Sequence, residues 1–379
     1  MTPHNAPIGG ASQRGHDRRI AIAATPTAVP ARQPGFTVPN HHPRHVLVLG
    51  VEDPLGHRIA EGLAAAGHHV ATCSIRGAVT SPYGDASDLE VDWRRADRLS
   101  ALLAGTGILC NVTNPFDEPI STLAFHLARR RRRQRERLLA VLAQALPDHP
   151  HVTMVQRSTA ALYEDAGPTW VDEAFPISPP RPASATFRAE QLARDQIQRG
   201  GRAVVLRPAT PYRLGDDTTA QRVTLARRGW EPFFGPEDVY RPMVEVDDAA
   251  AAFVASIDVP SGFYNVGDNN PLTVAQLNGA IATAVGRDRL HPLFASVHRS
   301  QYPLITRSCR LDNTSFRRIT GWNPTGAPVT STVLAQRVAG ERSRSEAMRV
   351  HASARPGGTD HVAGMSPMVL DRRGLENST

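Results

Sequence analysis

Short apolar runs alternate with helical patterns along the chain from residue 45 to residue 207, and this alternation constrains the fold more than any other feature. Strand-like runs separated by helices indicate parallel strands that are joined by right-handed helical crossovers. The sequence therefore predicts an α/β fold with a doubly wound parallel sheet. The predicted strands are 45–50, 68–73, 107–112, 152–157 and 202–207, and the predicted helices are 56–66, 95–104, 120–146 and 184–199.

The two ends of the chain differ in composition from this central part. Residues 1–44 carry seven prolines, five arginines and one acidic residue without a periodic apolar pattern. This composition predicts a disordered extension, and an Arg-rich organelle transit peptide is the alternative. No aromatic residue follows Trp322, and residues 336–379 are predicted to be a disordered tail.

The chain contains no lysine, so arginine supplies all 43 of its basic residues. Chemistry that needs a lysine amine, including Schiff-base formation, is therefore excluded. Cys73, Cys110 and Cys309 are widely spaced and form no metal-binding pattern, so we expect no metal site. No apolar run is long enough for a membrane-spanning helix, and the N-terminus lacks the apolar core of a secretion signal, so we expect a cytoplasmic protein without a membrane partner.

Five consecutive arginines at positions 129–133 lead into a helical apolar pattern. Such a run can hold the phosphates of a nucleic acid, and binding of that kind would weaken steeply with salt. However, no aromatic residue interleaves with the run, and no nucleic-acid-binding motif accompanies it. We interpret it as a solvated part of a helix and expect no nucleic-acid partner.

The first predicted strand leads into a glycine loop, GVEDPLG, at residues 50–56. In a doubly wound sheet this turn meets the pyrophosphate of a dinucleotide, and three glycines let the backbone turn and approach the phosphates. Gly50 and Gly56 keep the outer positions, but Asp53 stands in place of the middle glycine. A carboxylate repels a pyrophosphate, whereas the helix N-terminus behind it still attracts anions. The loop alone is compatible with dinucleotide binding and with a purely structural turn.

Segments between residues 45 and 325 resemble, in the correct order, the extended short-chain dehydrogenase/reductase family of nucleotide-sugar epimerases and dehydratases. The segments are GVEDPLGHRIAEGLAAAGHHV, EVDWRRADRLSALLAG, MVQRSTAALYED, VVLRPATPYRLGD, PMVEVDDAAAAFVAS, GFYNVGDNNPLTVAQLNGAIATAVGR and LDNTSFRRITGWNP. The resemblance implies a Rossmann-type fold with a smaller C-terminal substrate domain. It places an NAD(P)-binding domain at 45–210 and a substrate-binding region, with returning Rossmann elements, at 211–335.

The same resemblance implies NADP or NAD as the cofactor. After the second strand, NAD-dependent members carry a carboxylate that bonds the ribose, but this chain has Ser74. Arg58 and Arg76 suit a 2′-phosphate, which favours NADP, although both are equally compatible with solvated surface positions. Asp92 is implied to lie near the adenine. The full predicted cofactor-binding set is Gly50, Gly56, Arg58, Ser74, Arg76, Asp92 and Asn111.

The catalytic pattern of the family is incomplete in this chain. The resemblance implies a Ser or Thr, a Tyr that exchanges a proton with the substrate, and a Lys four residues after the Tyr. Thr159 matches the first position, but the other two hold Pro182 and Thr186, and a two-residue shift of the alignment supplies neither group. Ala160-Ala161 replaces the acid–base pair of the dehydratases. Thr159 and Tyr163 are the predicted catalytic residues, with Tyr163 either a substitute acid or a packing residue.

Other polar motifs favour structural roles. Asp247 and Asp248 precede the segment AAAAFVAS, and the resemblance implies a helix cap there rather than a catalytic carboxylate pair. None of the fifteen histidines belongs to a Ser-His-Asp or HExxH arrangement.

Two functions follow from these observations. The leading prediction is an NAD(P)-dependent oxidoreductase or epimerase-like protein, with a degenerate catalytic centre, that acts on a hydroxyl, keto or sugar-like small molecule. The alternative is a non-catalytic NAD(P)-binding, regulatory or scaffold protein of the same fold. The resemblance also implies a homodimer formed through the long helices.

Overall fold

The computed structural model describes residues 42–74, 79–80, 94–114, 122–213, 217–292 and 302–325. Within these ranges the strands are β1 (His45–Leu49), β2 (His69–Cys73), β3 (Val79–Thr80), β4 (Ile108–Asn111), β5 (Thr153–Arg157), β6 (Trp170–Val171), β7 (Ala203–Pro208), β8 (Thr210–Tyr212), β9 (Tyr240–Arg241), β10 (Met243–Glu245), β11 (Gly262–Val266), β12 (Leu272–Thr273) and β13 (Arg310–Leu311). The helices are α1 (Pro54–Ala65), α2 (Ala96–Ala104), α3 (Thr122–Ala145), α4 (Ser184–Gln198), α5 (Asp217–Arg227), α6 (Val246–Ser256), α7 (Val274–Ala284), α8 (Tyr302–Thr306) and α9 (Thr314–Thr320). The predicted tail at 336–379 and residues 1–41 of the predicted extension lie outside the described residues.

The main sheet has the strand order β11-β7-β5-β4-β1-β2-β3. Its pairs are parallel, except that the short edge strand β3 runs antiparallel to β2. Val46 in β1, for example, pairs with Val70 of β2 on one side and with Ile108 of β4 on the other. The predicted Rossmann-type doubly wound parallel sheet is therefore confirmed, and each predicted strand and helix lies within two residues of the observed one.

Helices cover both faces of this sheet, which is why the strands read as continuous apolar runs. Val46 and Val48 pack into the layer that contains α1 and α6. Leu47 and Leu49 pack into the opposite layer, with α2, α3 and α4. A third apolar cluster forms around α5 and α7, outside the sheet. The domain boundaries at 210 and 335 stay a prediction.

The start of α6 differs from the expected one. Its N-cap is Glu245, whose side chain accepts a hydrogen bond from the amide of Asp247. Asp247 pairs instead with Arg58, and Asp248 accepts bonds from Thr325. The predicted capping role of the two aspartates is wrong because the helix begins one residue before them.

The described residues bear on the absence of a membrane-spanning helix and on the environment of the three cysteines. No helix in the described ranges has both the length and the apolar character needed to cross a bilayer. Cys73, Cys110 and Cys309 are buried and free, and burial raises the pKa of each thiol to about 12. These thiols are therefore packed as small apolar side chains.

Candidate functional site

The crevice at the carboxyl edge of the sheet lies where β1 and β4 run side by side and their connections leave in opposite directions. Gly50 directly follows β1 and has a φ of +99°, a conformation that L side chains rarely adopt. A Cβ at Gly50 would stand 2.6 Å from the backbone nitrogen of Thr113, and one at Gly56 would stand 2.2 Å from the carbonyl oxygen of Gly50. Both glycines are therefore required by the turn itself.

Asp53 is the N-cap of α1. Its Oδ1 accepts a hydrogen bond of 2.8 Å from the amide of Gly56. Its Oδ2 lies 2.5 Å from a guanidinium nitrogen of Arg157. Asp53 is thus a capping residue and one half of an ion pair between the first loop and the end of β5.

Arg157 is the residue at this edge of the sheet that the sequence analysis did not single out. Its side chain is 4% exposed. The nitrogen that contacts Asp53 also donates to the carbonyl oxygen of Val112 at 3.1 Å, while the Nε has no hydrogen-bond partner in the described part of the chain. Its position at the end of a central parallel strand was the one signal available, because ligands approach that edge of the sheet.

The described residues of the first loop do not fit a dinucleotide pyrophosphate in this arrangement. The amide of Gly56 already donates to Asp53, and Pro54, the first residue of α1, has no N–H to offer. A carboxylate stands at the helix N-terminus, where a phosphate is normally attracted. The outer glycines are compatible with such a loop, but Pro54 offers no amide and the amide of Gly56 is already bonded to Asp53.

The other predicted cofactor residues are partly engaged elsewhere. Arg58 donates to Asp247 at 2.7 Å and to Glu61 at 2.8 Å. Burial opposes its charge, but these bonds raise the pKa of Arg58. Asn111 is fully buried and donates to Gln156 of β5 at 2.9 Å. Ser74 follows β2 directly and is half-buried. Arg76 and Asp92 lie outside the described residues.

Thr159 caps a short helical turn at Ala160–Leu162, and its hydroxyl oxygen accepts from the amide of Ala161 at 3.2 Å. Because the oxygen is the acceptor, the hydroxyl proton is left for another partner. Thr159 is 7% exposed and lies two residues after Arg157. The predicted role of Thr159 as a hydrogen-bond donor stays a prediction that this geometry allows.

Tyr163 is enclosed, with 1% of its surface exposed. Its hydroxyl donates to Asn265 of β11 at 2.7 Å and accepts from Arg207 of β7 at 3.0 Å. Burial raises the pKa of the phenol to about 12, although the nearby Arg207 opposes the shift. The role of substitute acid stays a prediction, and these contacts favour the packing alternative.

The same region contains a second buried ion pair. Arg207 binds both carboxylate oxygens of Glu190, each at 2.9 Å, and Ser158 donates to Glu190 at 2.6 Å. Burial alone would lower the pKa of Arg207, but the bonds and charge of Glu190 raise it. With Tyr163 and Asn265, this network ties α4 to β5, β7 and β11.

A small cavity lies between α3, α4 and the end of β5. Thr186 of α4, which one predicted register places at the family's lysine position, lines the cavity together with Thr113, Arg157 and Arg135 of α3. Arg135 is 5% exposed, so two buried guanidinium groups border the same space. A guanidinium donates hydrogen bonds but does not release a proton near neutral pH, so neither group replaces the lysine chemically.

The arginine run is only partly described. Arg132 pairs with Glu136 at 3.2 Å within α3, and Arg188 of α4 contacts the same carboxylate at 2.8 Å. The side chains of residues 129–131 lie outside the described residues. Among the described side chains, no group of three or more His, Cys, Asp or Glu residues has metal-binding geometry.

Residues 46–267 match the NAD dependent epimerase/dehydratase family. The chain belongs to this family. The description of the family names NAD, which agrees with the predicted nicotinamide dinucleotide cofactor. The resemblance on which that prediction rested is confirmed. No curated protein matches the sequence significantly.

Solved structures of similar fold cover most of the chain. UDP-glucose 4-epimerase from Thermus thermophilus in complex with NAD is 20% identical, with a TM-score of 0.59 over 79% of this chain and 99% of that chain. UDP-glucose 4-epimerase from Thermotoga maritima with UDP-glucose is 18% identical, with a TM-score of 0.61 over 79% and 99%. A human epimerase family protein with NADPH is 18% identical, with a TM-score of 0.60 over 78% and 99%. At these identities, the likeness shows the fold.

Proposed function

We propose that the protein binds a hydroxyl-, keto- or sugar-like small molecule at the carboxyl edge of its sheet, without the Tyr–Lys proton relay of its family. The observation that carries the proposal is that the hydroxyl groups of both predicted catalytic residues already form hydrogen bonds within the protein. The hydroxyl of Tyr163 is hydrogen-bonded to Asn265 and Arg207, and the hydroxyl of Thr159 caps a turn. With no lysine in the chain, the groups that move protons in the family are not assembled.

The ligand class is supported by the position of the crevice and by the similar structures. Doubly wound proteins bind ligands at the carboxyl ends of their strands, where Thr113, Arg157 and Thr159 lie. Two of the similar structures are epimerases of UDP-glucose, one of them with that sugar nucleotide bound. The buried guanidinium groups of Arg135 and Arg157 favour a ligand that presents an acceptor oxygen toward the cavity.

A second candidate is NAD(P)-dependent oxidation, reduction or epimerisation of the same ligand class. Membership of the NAD dependent epimerase/dehydratase family favours it. The hydroxyl of Thr159 would then orient the substrate oxygen by a hydrogen bond, and proton transfer would need a donor other than a lysine-assisted tyrosine. A cytoplasmic location and a homodimer remain predictions that accompany either candidate.

Calorimetric titration of the purified protein with a panel of keto acids, polyols and sugar nucleotides tests the proposal. We expect saturable binding of at least one class and no change in nicotinamide absorbance when NADH or NADPH is added. Thr159→Val removes the free hydroxyl proton and should weaken binding by about tenfold, as expected for one lost hydrogen bond. Thr283→Val removes an exposed hydroxyl from α7 and serves as the control. Steady nicotinamide-dependent turnover would support the second candidate instead.

A further inference from the structure

We infer that the carboxylate of Asp53 takes the place of a cofactor phosphate at the first turn, so that the chain fills its own pyrophosphate position. The inference goes beyond the proposed small-molecule binding, which does not require a dinucleotide. It rests on two contacts of Asp53: one carboxylate oxygen bonds the helix N-terminus, and the other bonds a buried arginine.

The first step is electrostatic. The N-terminus of a helix carries a partial positive charge and free amides, which is why phosphates bind there. In this chain the anion at that position is internal, because Asp53 Oδ1 lies 2.8 Å from the amide nitrogen of Gly56. A pyrophosphate would have to displace this carboxylate or lie against its charge.

The second step concerns the backbone amides at Pro54 and His57. A phosphate at a helix start is held by the amides of the first turn, and Pro54 has none. The amide of His57 forms the first helical bond, to the carbonyl oxygen of Asp53, at 3.1 Å. Proline at this position is favourable for a helix start that holds no ligand, since the missing N–H would otherwise need a partner.

The third step is charge compensation. Arg157 is buried at the end of β5, and a buried cation needs an anion nearby. Asp53 supplies it at 2.5 Å. A loop with glycine at position 53 would leave Arg157 free to face a bound phosphate, whereas the present loop neutralises it in advance.

The fourth step concerns the two glycines that suggest a dinucleotide loop. Each is explained without a ligand: a side chain at Gly50 would collide with the backbone of Thr113, and one at Gly56 would collide with Gly50. Their presence is therefore a requirement of the turn. Asp53 and Pro54, which face no such restriction, are the positions that decide whether a phosphate fits.

The test is calorimetric titration of NADPH and NADH into four proteins. They are the wild type, Asp53→Gly, Asp53→Asn and Glu52→Gln, the last being a matched control that removes one negative charge from the neighbouring loop position. We expect no saturation for the wild type or for Glu52→Gln. Asp53→Gly should bind at least about tenfold more tightly than the wild type, and Asp53→Asn, which keeps a capping side chain without its charge, should lie between them.

A second variant and a second measurement keep the result interpretable. Asp53→Gly with Pro54→Ala restores an amide as well as space, and we expect it to bind more tightly than Asp53→Gly alone. Far-ultraviolet circular dichroism verifies the fold of each variant, since glycine is nearly as good a cap as aspartate. Binding of the keto or sugar ligand, measured in the absence of nicotinamide, reports separately on the proposed function.

Two results would overturn the inference. One is saturable wild-type binding of NADPH or NADH that Asp53→Gly does not strengthen, because Asp53 would then be no competitor. The other is absence of binding in every folded variant, because another feature of the crevice would then exclude the dinucleotide. In both cases the small-molecule proposal would stand or fall on its own titration.

Discussion

In the described part of the chain, two arginines buried at the same end of the sheet pair with carboxylates, and the two pairs are built differently. Arg207 grips both oxygens of Glu190, and the carboxylate is completely buried. Arg157 contacts a single oxygen of Asp53, whose side chain is 15% exposed on a loop. The first pair joins a helix to a central strand, whereas the second joins a loop to the end of a strand.

The difference separates a fully enclosed pair inside the fold from a less enclosed pair at the edge of the crevice. Burial of two charges costs free energy, and that cost is recovered only when geometry and additional hydrogen bonds are complete. The pair of Glu190 and Arg207 meets this condition through Ser158 and Tyr163. The pair of Asp53 and Arg157 leaves the Nε of Arg157 without a described partner. The second pair is therefore less completely bonded than the first.

The largest expected effect comes from breaking the inner pair. Glu190→Gln should lower the free energy of unfolding by about 3–5 kcal/mol, because it leaves Arg207 buried without a counter-charge. Urea unfolding followed by tryptophan fluorescence measures the loss. Glu136→Gln makes the same change at a more exposed pair on α3 and should cost less than about 1 kcal/mol. Equal losses in the two variants would contradict the comparison.

Asp268 offers a contrast to the two arginine–carboxylate pairs, because it is a buried carboxylate for which no arginine partner is described. Burial, with nearby Asp248 and Glu245, raises the pKa of Asp268 to about 8. The folded protein therefore holds this proton more tightly than the unfolded chain, whose pKa is near 3.8. The unfolding free energy should accordingly fall as pH rises between these two values, and stay low above them.

Asp268→Asn removes this titration. At about pH 9 the variant should be more stable than the wild type by a few kcal/mol, since one pKa unit corresponds to about 1.4 kcal/mol. At about pH 4 the two proteins should differ little. Thermal unfolding across this range provides the measurement, and a variant that is destabilised equally at every pH would rule out the proton as the cause.

Tyr163→Phe probes the hydrogen bonds that complete the inner pair. We expect a loss of about 1–3 kcal/mol, because the buried oxygen of Asn265 and a nitrogen of Arg207 lose a partner. Tyr264→Phe, whose hydroxyl bonds the carbonyl oxygen of Pro260 at a less buried site, should cost less. Ligand binding in the crevice should be unchanged by Tyr163→Phe. Loss of a measured activity without loss of stability would instead assign Tyr163 to the chemistry.

Of the two pairs, the outer one has the smaller expected effect on stability. Asp53→Gly should lower the unfolding free energy by about 1–2 kcal/mol, since glycine still caps α1 and Arg157 keeps its bond to Val112. Chemical unfolding of this variant beside Glu190→Gln compares the two pairs directly. A loss at Asp53 as large as that at Glu190 would make the outer pair a structural one.

The fold was predictable from the sequence to a greater depth than the site. Strand and helix positions follow from local periodicity, and α1, for example, begins two residues before its predicted start. The sequence also showed that Asp53 replaces the middle glycine of the loop. Its partner was not, because Arg157 lies 104 residues away and meets it only through the strand order.

The same limit applies to Tyr163. The spacing placed Tyr163 near Thr159, the predicted catalytic threonine, but the contacts of Tyr163 depend on Asn265, which is 102 residues away on β11. The predicted cap of α6 was wrong for a different reason. Glu245, Asp247 and Asp248 lie within four positions of one another, and the sequence alone did not distinguish which of them caps the helix.

Asp53 and Pro54 are adjacent, lie at the surface end of one helix and belong to no apolar core. An aspartate codon becomes a glycine codon by one nucleotide change, and a proline codon becomes an alanine codon by another. The step between a loop that holds its own anion and one that accepts a foreign anion is therefore short in genetic terms. A lineage can cross it in either direction while every layer of packing beneath the sheet edge stays intact.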